Sequence, residues 1–211
     1  MATSGRAETG ASRLARPREF DEIAVLDAAV QCFWAKGFEA TSVRDLADEM
    51  GMTGASLYNA FGDKRALYRR ALDHYVAGSF GERAHRIEST LPPRAAIGAF
   101  FEEIIARSLN DKQRKGCMLV NSALELAPHD SEFQKVVAGV LLEVEMFFRR
   151  LVQAGQRDGS VARSQPANDL ARLLLGVLLG IRVLARTRPE RALLEGLVRP
   201  VLILLDHELA N

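Results

Sequence analysis

Apolar residues recur along this chain at spacings of three and four, and no stretch alternates as a half-buried strand would. The first periodic segment runs from about Phe20 to Lys36, with Ile23, Leu26, Val30, Phe33 and Trp34 as its stripe and Gly37 as its stop. A second opens at Thr41 or Ser42. Ser42 and Asp45 fit a reciprocal capping box, Val43, Leu46 and Met50 face inward, and Gly51 ends the segment. Thr53 caps a third, short helix from Gly54 to Phe61, in which Leu57 and Phe61 share one side. Gly62 closes it, and Asp63 caps a fourth helix in which Leu67, Ala71 and Tyr75 recur. Short helices crossed over a tight glycine-containing turn predict a helix-turn-helix unit.

The remaining two thirds reads as a second, larger helical body. Pro92 and Pro93 begin a helix carrying Ile97, Phe100, Phe101, Ile104 and Ile105, and another covers about Gly116 to Leu126. Ser131 and Gln134 read as a capping box at the head of a long helix whose stripe runs from Phe133 to Leu151 and which ends around Gly155 and Gly159. Two helices follow, from about Asn168 to Thr187 and from Pro189 onward, and Pro200 predicts a kink or break in the last. Leu170, Leu174, Val177, Leu178 and Ile181, with Leu194, Leu197, Val201 and Leu205, are expected to close a four-helix bundle across a two-fold axis. A self-contained monomeric bundle is the alternative. The expected architecture is an all-α, nine-helix, two-domain homodimer. A flexible basic arm (1–18) precedes a helix-turn-helix domain (19–65), and a larger helical dimerisation domain (66–211) follows.

Charge does not by itself announce a nucleic-acid binder, because 28 Lys and Arg against 27 Asp and Glu leave a formal net charge of +1. Positive charge is instead local. Arg6, Arg13, Arg16 and Arg18 face only Glu8 in the first eighteen residues, which fits either a DNA-touching arm or a solubilising leader. The longest greasy stretch, Leu173 to Ala185, contains Arg182 and is too short to span a bilayer. With no leader pattern before it, a cytoplasmic protein without membrane contact is expected. Cys32 and Cys117 fall in different predicted domains, so no structural disulfide is expected. The four histidines form no close-spaced metal pattern, and HExxH, P-loop, GxGxxG and GxSxG motifs are absent. No metal, no cofactor and no catalytic residues are expected, which removes most enzyme classes.

The stretch from Thr41 to Leu67, TSVRDLADEMGMTGASLYNAFGDKRAL, closely resembles the DNA-binding signature of the TetR/AcrR family, and the match extends back through Phe33, Gly37 and Phe38. The segment Lys115 to Glu125, KGCMLVNSALE, is similar to a motif in one group of these regulators that includes electrophile-, drug- and metal-responsive members. The resemblance implies that the third helix enters the major groove and that dimers bind palindromic double-stranded operators. It also implies that a small-molecule effector in the larger domain spreads the reading heads and releases the DNA.

Residue types in the third helix agree with that role. Its first turn exposes Thr53, Gly54, Ala55 and Ser56, and Asn59 lies one turn beyond, where its amide suits bidentate bonding to adenine; a phosphate contact or no direct role are the alternatives. Tyr58 matches a family position whose hydroxyl touches phosphate, with core packing as its other reading. Lys64, in the first turn of the fourth helix, suits a phosphate, or is a solvated surface lysine. Arg44, with Thr41 or Ser42, is expected on the same strand's backbone. Ala60 departs from the family, where Tyr or His commonly adds a phosphate contact.

For the effector, apolar or electrophilic, the candidates are Phe100, Phe101, Ile104, Met118, Asn121, Phe147 and Phe148, each of which would serve equally as core. Cys117 follows Lys115 and Gly116 at a helix start, where positive charge and free amides lower a thiol pKa. It is a covalent sensor of electrophiles and oxidants on one reading and a small apolar filler on the other. Arg182 is expected to pair with Glu125, Glu143 or Glu145, with binding of an acidic effector as the alternative. Rival functions are an activator or corepressor-dependent regulator and, in a different class, a helical protein-binding adaptor without DNA binding.

Overall fold

A computed structural model describes residues 21–206, and the basic arm and the last five residues lie outside them. Every regular element among the described residues is helical: α1 (Glu22–Lys36), α2 (Val43–Glu49), α3 (Gly54–Phe61), α4 (Lys64–Val76), α5 (Glu82–Thr90), α6 (Pro93–Asn110), α7 (Met118–Glu125), α8 (Ser131–Asp158), α9 (Ala167–Thr187) and α10 (Arg191–Asp206). A π-helical turn, Ala77–Gly81, joins α4 to α5 without leaving right-handed backbone, so the described residues form nine rods. Two glycines and a serine within five residues explain why this turn tolerates its wider winding.

Local chemistry sets the helix ends. Asp21, Ser42, Thr53, Asp63 and Asp130 each accept backbone N–H groups at an N-terminus, and Ser42 with Asp45 makes the full reciprocal box. The long helix α8 therefore starts on Asp130 and not on the predicted Ser131–Gln134 box. A carboxylate is the stronger acceptor, and it takes the N–H groups of both Glu132 and Phe133. Gly159, in the left-handed region, ends α8. Gly155 lies inside that helix and gives Val161 room to fold back, since a Cβ there would come within 2.4 Å of the valine. Pro200 is accommodated within α10 and does not divide it. The helix expected from Gly116 begins two residues later, because positive φ at Arg114 and Gly116 bends the chain just before it.

Two hydrophobic cores hold the rods. One, built from α5, α6, α8, α9 and α10, contains the stacked pair Phe101 and Phe148 together with Phe100 and Phe147. The other belongs to α1–α4 but is completed by Met118, Leu119, Leu126, Phe133 and Val137 from α7 and the start of α8. The small unit and the larger body thus share a core across the chain division expected at residue 65. Ile23, expected in the α1 stripe, is 66 % exposed, and Val25 and Ala29 take the inward positions.

The face of α9 and α10 assigned to a partner is corrected in the same way. Leu170, Leu174, Leu178, Ile181, Leu194, Val201 and Leu205 are buried inside the subunit, while Val177 and Leu197 are half-buried. Both helices are apolar over more than one face, and periodicity alone does not say which face meets the chain's own core. The outward apolar positions are Leu173, Val183 and Ile203, with Gly176, Gly180 and Gly196 open beside them.

Candidate DNA-reading face and ligand cleft

Helix α3 is anchored from below and bare above. Leu57 and Phe61 are buried, whereas Thr53, Ala55, Ser56, Tyr58 and Asn59 are exposed and Gly54 is half-buried between them. The Thr53 hydroxyl accepts from the Ser56 N–H at 3.1 Å, which pins the first turn. Helix α2 is pinned by the Ser42–Asp45 box and by Lys36, whose ammonium lies 2.5 Å from Asp45 and holds that carboxyl well below the usual carboxylate range. Arg44 projects almost fully into solvent, with the Asp48 carboxylate 3.9 Å from its Nε.

Three of the expected backbone contacts are engaged within the protein. Thr41 is buried, and its hydroxyl donates to the Gly37 carbonyl at 2.6 Å, so it braces the α1–α2 loop instead of facing outward. Ser42 spends its hydroxyl on Asp45. Lys64 donates to the carbonyls of Phe38 and Thr41 at 2.8 and 2.9 Å and lies 4.3 Å from the Phe38 ring centroid, leaving one of its three N–H bonds for anything else.

A cleft of about 670 Å³ lies between α1 and α4 on one hand and α6, α9 and the loop before α7 on the other. Trp34, Tyr75, Ser79, Arg107, Ser108 and Arg182 stand in its wall. A narrow slot of about 60 Å³ adjoins it, lined by Phe80, Phe100, Ile104, Val144, Leu178 and Cys117 among others. Of the expected effector contacts, Phe100, Ile104 and Cys117 line this slot. Phe101, Phe147 and Phe148 are consumed by core packing, and Met118 by the head's core. Asn121 donates to the Lys115 carbonyl at 3.0 Å and accepts from Arg186 at 3.0 Å, so its amide is satisfied within the protein.

Two electrostatic expectations change here. Lys115 turns away from Cys117 to reach Gln31 at 2.8 Å and the face of Trp34, because α1 offers it both an acceptor and a ring. The cation beside the sulfur is Arg182. Among the described residues Arg182 has no carboxylate partner, neither Glu125, Glu143 nor Glu145: Glu125 accepts from the Glu39 N–H, and Glu145 pairs with Arg172. Instead Arg182 donates to Ser108 Oγ and the Gly116 carbonyl, both at 3.1 Å, and to the Tyr75 hydroxyl at 3.5 Å. The Tyr75 hydroxyl donates to Cys117 Sγ at 3.7 Å, and burial pushes the phenol well above its ordinary pKa. Arg83 and Arg107, also in the slot wall, went unnoticed in the sequence, although Arg107 continues the Phe100–Ile104 stripe at helical spacing.

Known families match both regions. Residues 25–71 match "Bacterial regulatory proteins, tetR family", and residues 93–199, about half of the chain, match "Tetracyclin repressor-like, C-terminal domain". The chain belongs to the TetR family. This TetR-family protein is therefore a sequence-specific DNA-binding transcriptional regulator. It is similar to CifR, a TetR family transcriptional regulator solved as a cysteine mutant with 26-base-pair double-strand operator DNA. The two are 31 % identical over 89 % of this chain and 98 % of that one, with a TM-score of 0.79. Among curated proteins it is 29 % identical to the uncharacterized HTH-type transcriptional regulator YezE of Bacillus subtilis, over 92 % of this chain and all of that one. It is 27 % identical to the HTH-type transcriptional repressor ComR of Escherichia coli, over 87 % of each.

Proposed function

We propose that this TetR-family protein is a homodimeric repressor that holds a palindromic operator through α3 and lets go when a small molecule enters the cleft between head and body. The observation that carries the reading is α3 itself: a capped helix whose inner side is locked by Leu57 and Phe61 and whose exposed side offers small and polar side chains together with Tyr58. An α-helix so presented fits the major groove, and Asn59 is the residue suited to a base edge. Residues 19–65 form the reading domain and 66–211 the effector-binding and dimerisation domain. Arg44, Thr53, Ser56 and Tyr58 approach the backbone or base edges alongside Gly54 and Ala55, and Lys64 contributes through its one free N–H. The protein acts in the cytoplasm without catalysis; no helix among the described residues is long and apolar enough to cross a membrane.

Selection of bound duplexes from a random library tests this reading. The expected product is an inverted repeat, and Asn59→Ala should relax preference at one position per half-site by about 1–3 kcal/mol. Recovery of duplexes with no common sequence overturns the assignment. Dimerisation uses the outward face of α9 and α10 around Leu173, Val177, Val183 and Ile203. Leu173→Asp should yield a folded monomer in sedimentation, and an unchanged dimer rejects that face.

A second reading, an electrophile-responsive regulator acting through Cys117, is favoured by the Arg182–Tyr75–Cys117 chain of donors. Cys117→Ser should keep DNA binding and lose release by a quinone; full release from the variant refutes it.

A further inference from the structure

The cleft and the slot meet at Tyr75, Ser79, Arg107 and Arg182. Three arginines, Arg83, Arg107 and Arg182, line the slot, and no aspartate or glutamate does. Arg83 is buried and answered by Glu103 at 3.2 Å. Arg107 and Arg182 make no ion pair with any described residue. A guanidinium drawn out of water is costly unless a counter-charge meets it, and Arg182 finds a hydroxyl, a phenol, a carbonyl and the Cys117 sulfur but no carboxylate among the described residues. The indole N–H of Trp34, in the cleft wall, is also buried with no acceptor among the described residues. Apart from the Tyr75 and Ser79 hydroxyls and the Cys117 thiol, the rest of the slot is hydrocarbon and aromatic ring.

The carboxylates of the cleft stand outside the slot. Asp27 is held by His74 at 2.8 Å, Asp111 accepts the Gly116 N–H at 2.9 Å, and Glu82 is the third. Lys115 is the remaining cation of the cleft and is turned to Trp34 and Gln31. Positive charge without a partner thus gathers where the apolar slot opens, and negative charge stays in the outer cleft.

We propose that this cleft and slot bind a small amphipathic monoanion, a short-chain carboxylate whose carboxylate group rests on Arg182 and Arg107 while its hydrocarbon tail enters the slot. This inference rests on the effector reading above and names the effector's chemical class. A slot of about 60 Å³, at roughly 10–15 Å³ for each water-sized occupant, has room for about four to six heavy atoms. Hexanoate matches that length. The three carboxylates of the cleft weigh against a second negative charge on the ligand.

Calorimetric titration of the full-length protein with hexanoate, hexan-1-ol and adipate tests the inference and needs no operator. Hexanoate should bind at least tenfold more tightly than either relative. Arg182→Met should lose at least tenfold in hexanoate affinity while leaving hexan-1-ol unchanged, Arg182→Lys should recover part of the loss, and Arg107→Gln should lose several-fold. Failure of hexanoate to bind, equal binding of the alcohol, or undiminished binding by folded Arg182→Met each overturns the proposal. Should Arg182→Met not fold, as judged by circular dichroism, an unchanged hexanoate-to-hexanol ratio in Arg107→Gln overturns it instead. Loss of the repressor reading would show separately, as duplex selection that yields no inverted repeat.

Discussion

The junction between the reading head and the larger body has two unlike halves. On one, α4 is welded to α7 and α8. Tyr68 packs edge-on against Phe33, Phe38 and Phe133, and its hydroxyl lies 2.8 Å from that of Ser122. Glu125 reaches back to the α1–α2 loop, and Arg65 and Arg69 clasp Asp130 and Glu132 at the head of α8. On the other half, α1 and α4 face α6 and α9 across the cleft, with the Lys115–Gln31 and Arg182–Tyr75 hydrogen bonds spanning it. A head fixed along one edge and free along the other can pivot, whereas a head tethered by a loop alone would only dangle. A ligand that enters the cleft, as proposed above, would act on a lever with the weld as its fulcrum.

The comparison breaks most visibly at Tyr68. Removing its ring in Tyr68→Ala should cost about 3–5 kcal/mol in chemical denaturation, because a fully enclosed aromatic leaves a cavity between head and body. Head and body should still unfold in one transition; two separated transitions would show that the shared core is not a weld. Gly37→Ala should follow at roughly 1–3 kcal/mol, since φ there is +82° and a Cβ would stand 3.0 Å from both oxygens of Glu125. Tyr68→Phe should cost about 1 kcal/mol, with Ser122 still donating to the Met118 carbonyl. It carries a pH signature as well. Burial pushes the Tyr68 phenol up to about 12, so wild-type stability is intact below the unfolded value near 10 and is lost as pH rises through about 12. Melting of Tyr68→Phe over that window should lack this contribution. Least of all, Gln31→Ala across the open half should shift stability by under about 0.5 kcal/mol. A larger loss would mean the cleft is braced as firmly as the weld.

Much of the fold was legible because its signals are local. Ser42, Thr53 and Asp63 sit where their side chains cap helices, and Leu57 and Phe61 anchor α3 as their spacing implies. What escaped depended on partners far along the chain. Thr41 and Lys64 look like surface residues until the α1–α2 loop curls over them and claims their donors. The apolar faces of α9 and α10 cannot declare which side meets α8 and which meets solvent. Arg83 reads as ordinary surface charge because nothing in its own helix reveals that neighbouring helices bury it, and nothing in α6 alone reveals that the exposed Arg107 borders a slot. Cys117 was found by its position at a helix start, but its cationic neighbour comes from 65 residues further on and not from Lys115.

The wide turn at Ala77–Gly81 has a geometric consequence. Ile87 lies twelve residues beyond Tyr75, and at about 100° per residue an unbroken α-helix would set the two roughly 120° apart around the rod. Yet Tyr75 belongs to the head's core and Ile87 to the body's, and both are buried. The π segment works like a differential gear on one shaft: each end keeps the angular phase its own core demands, and the surplus winding is taken up midway, beside the cleft.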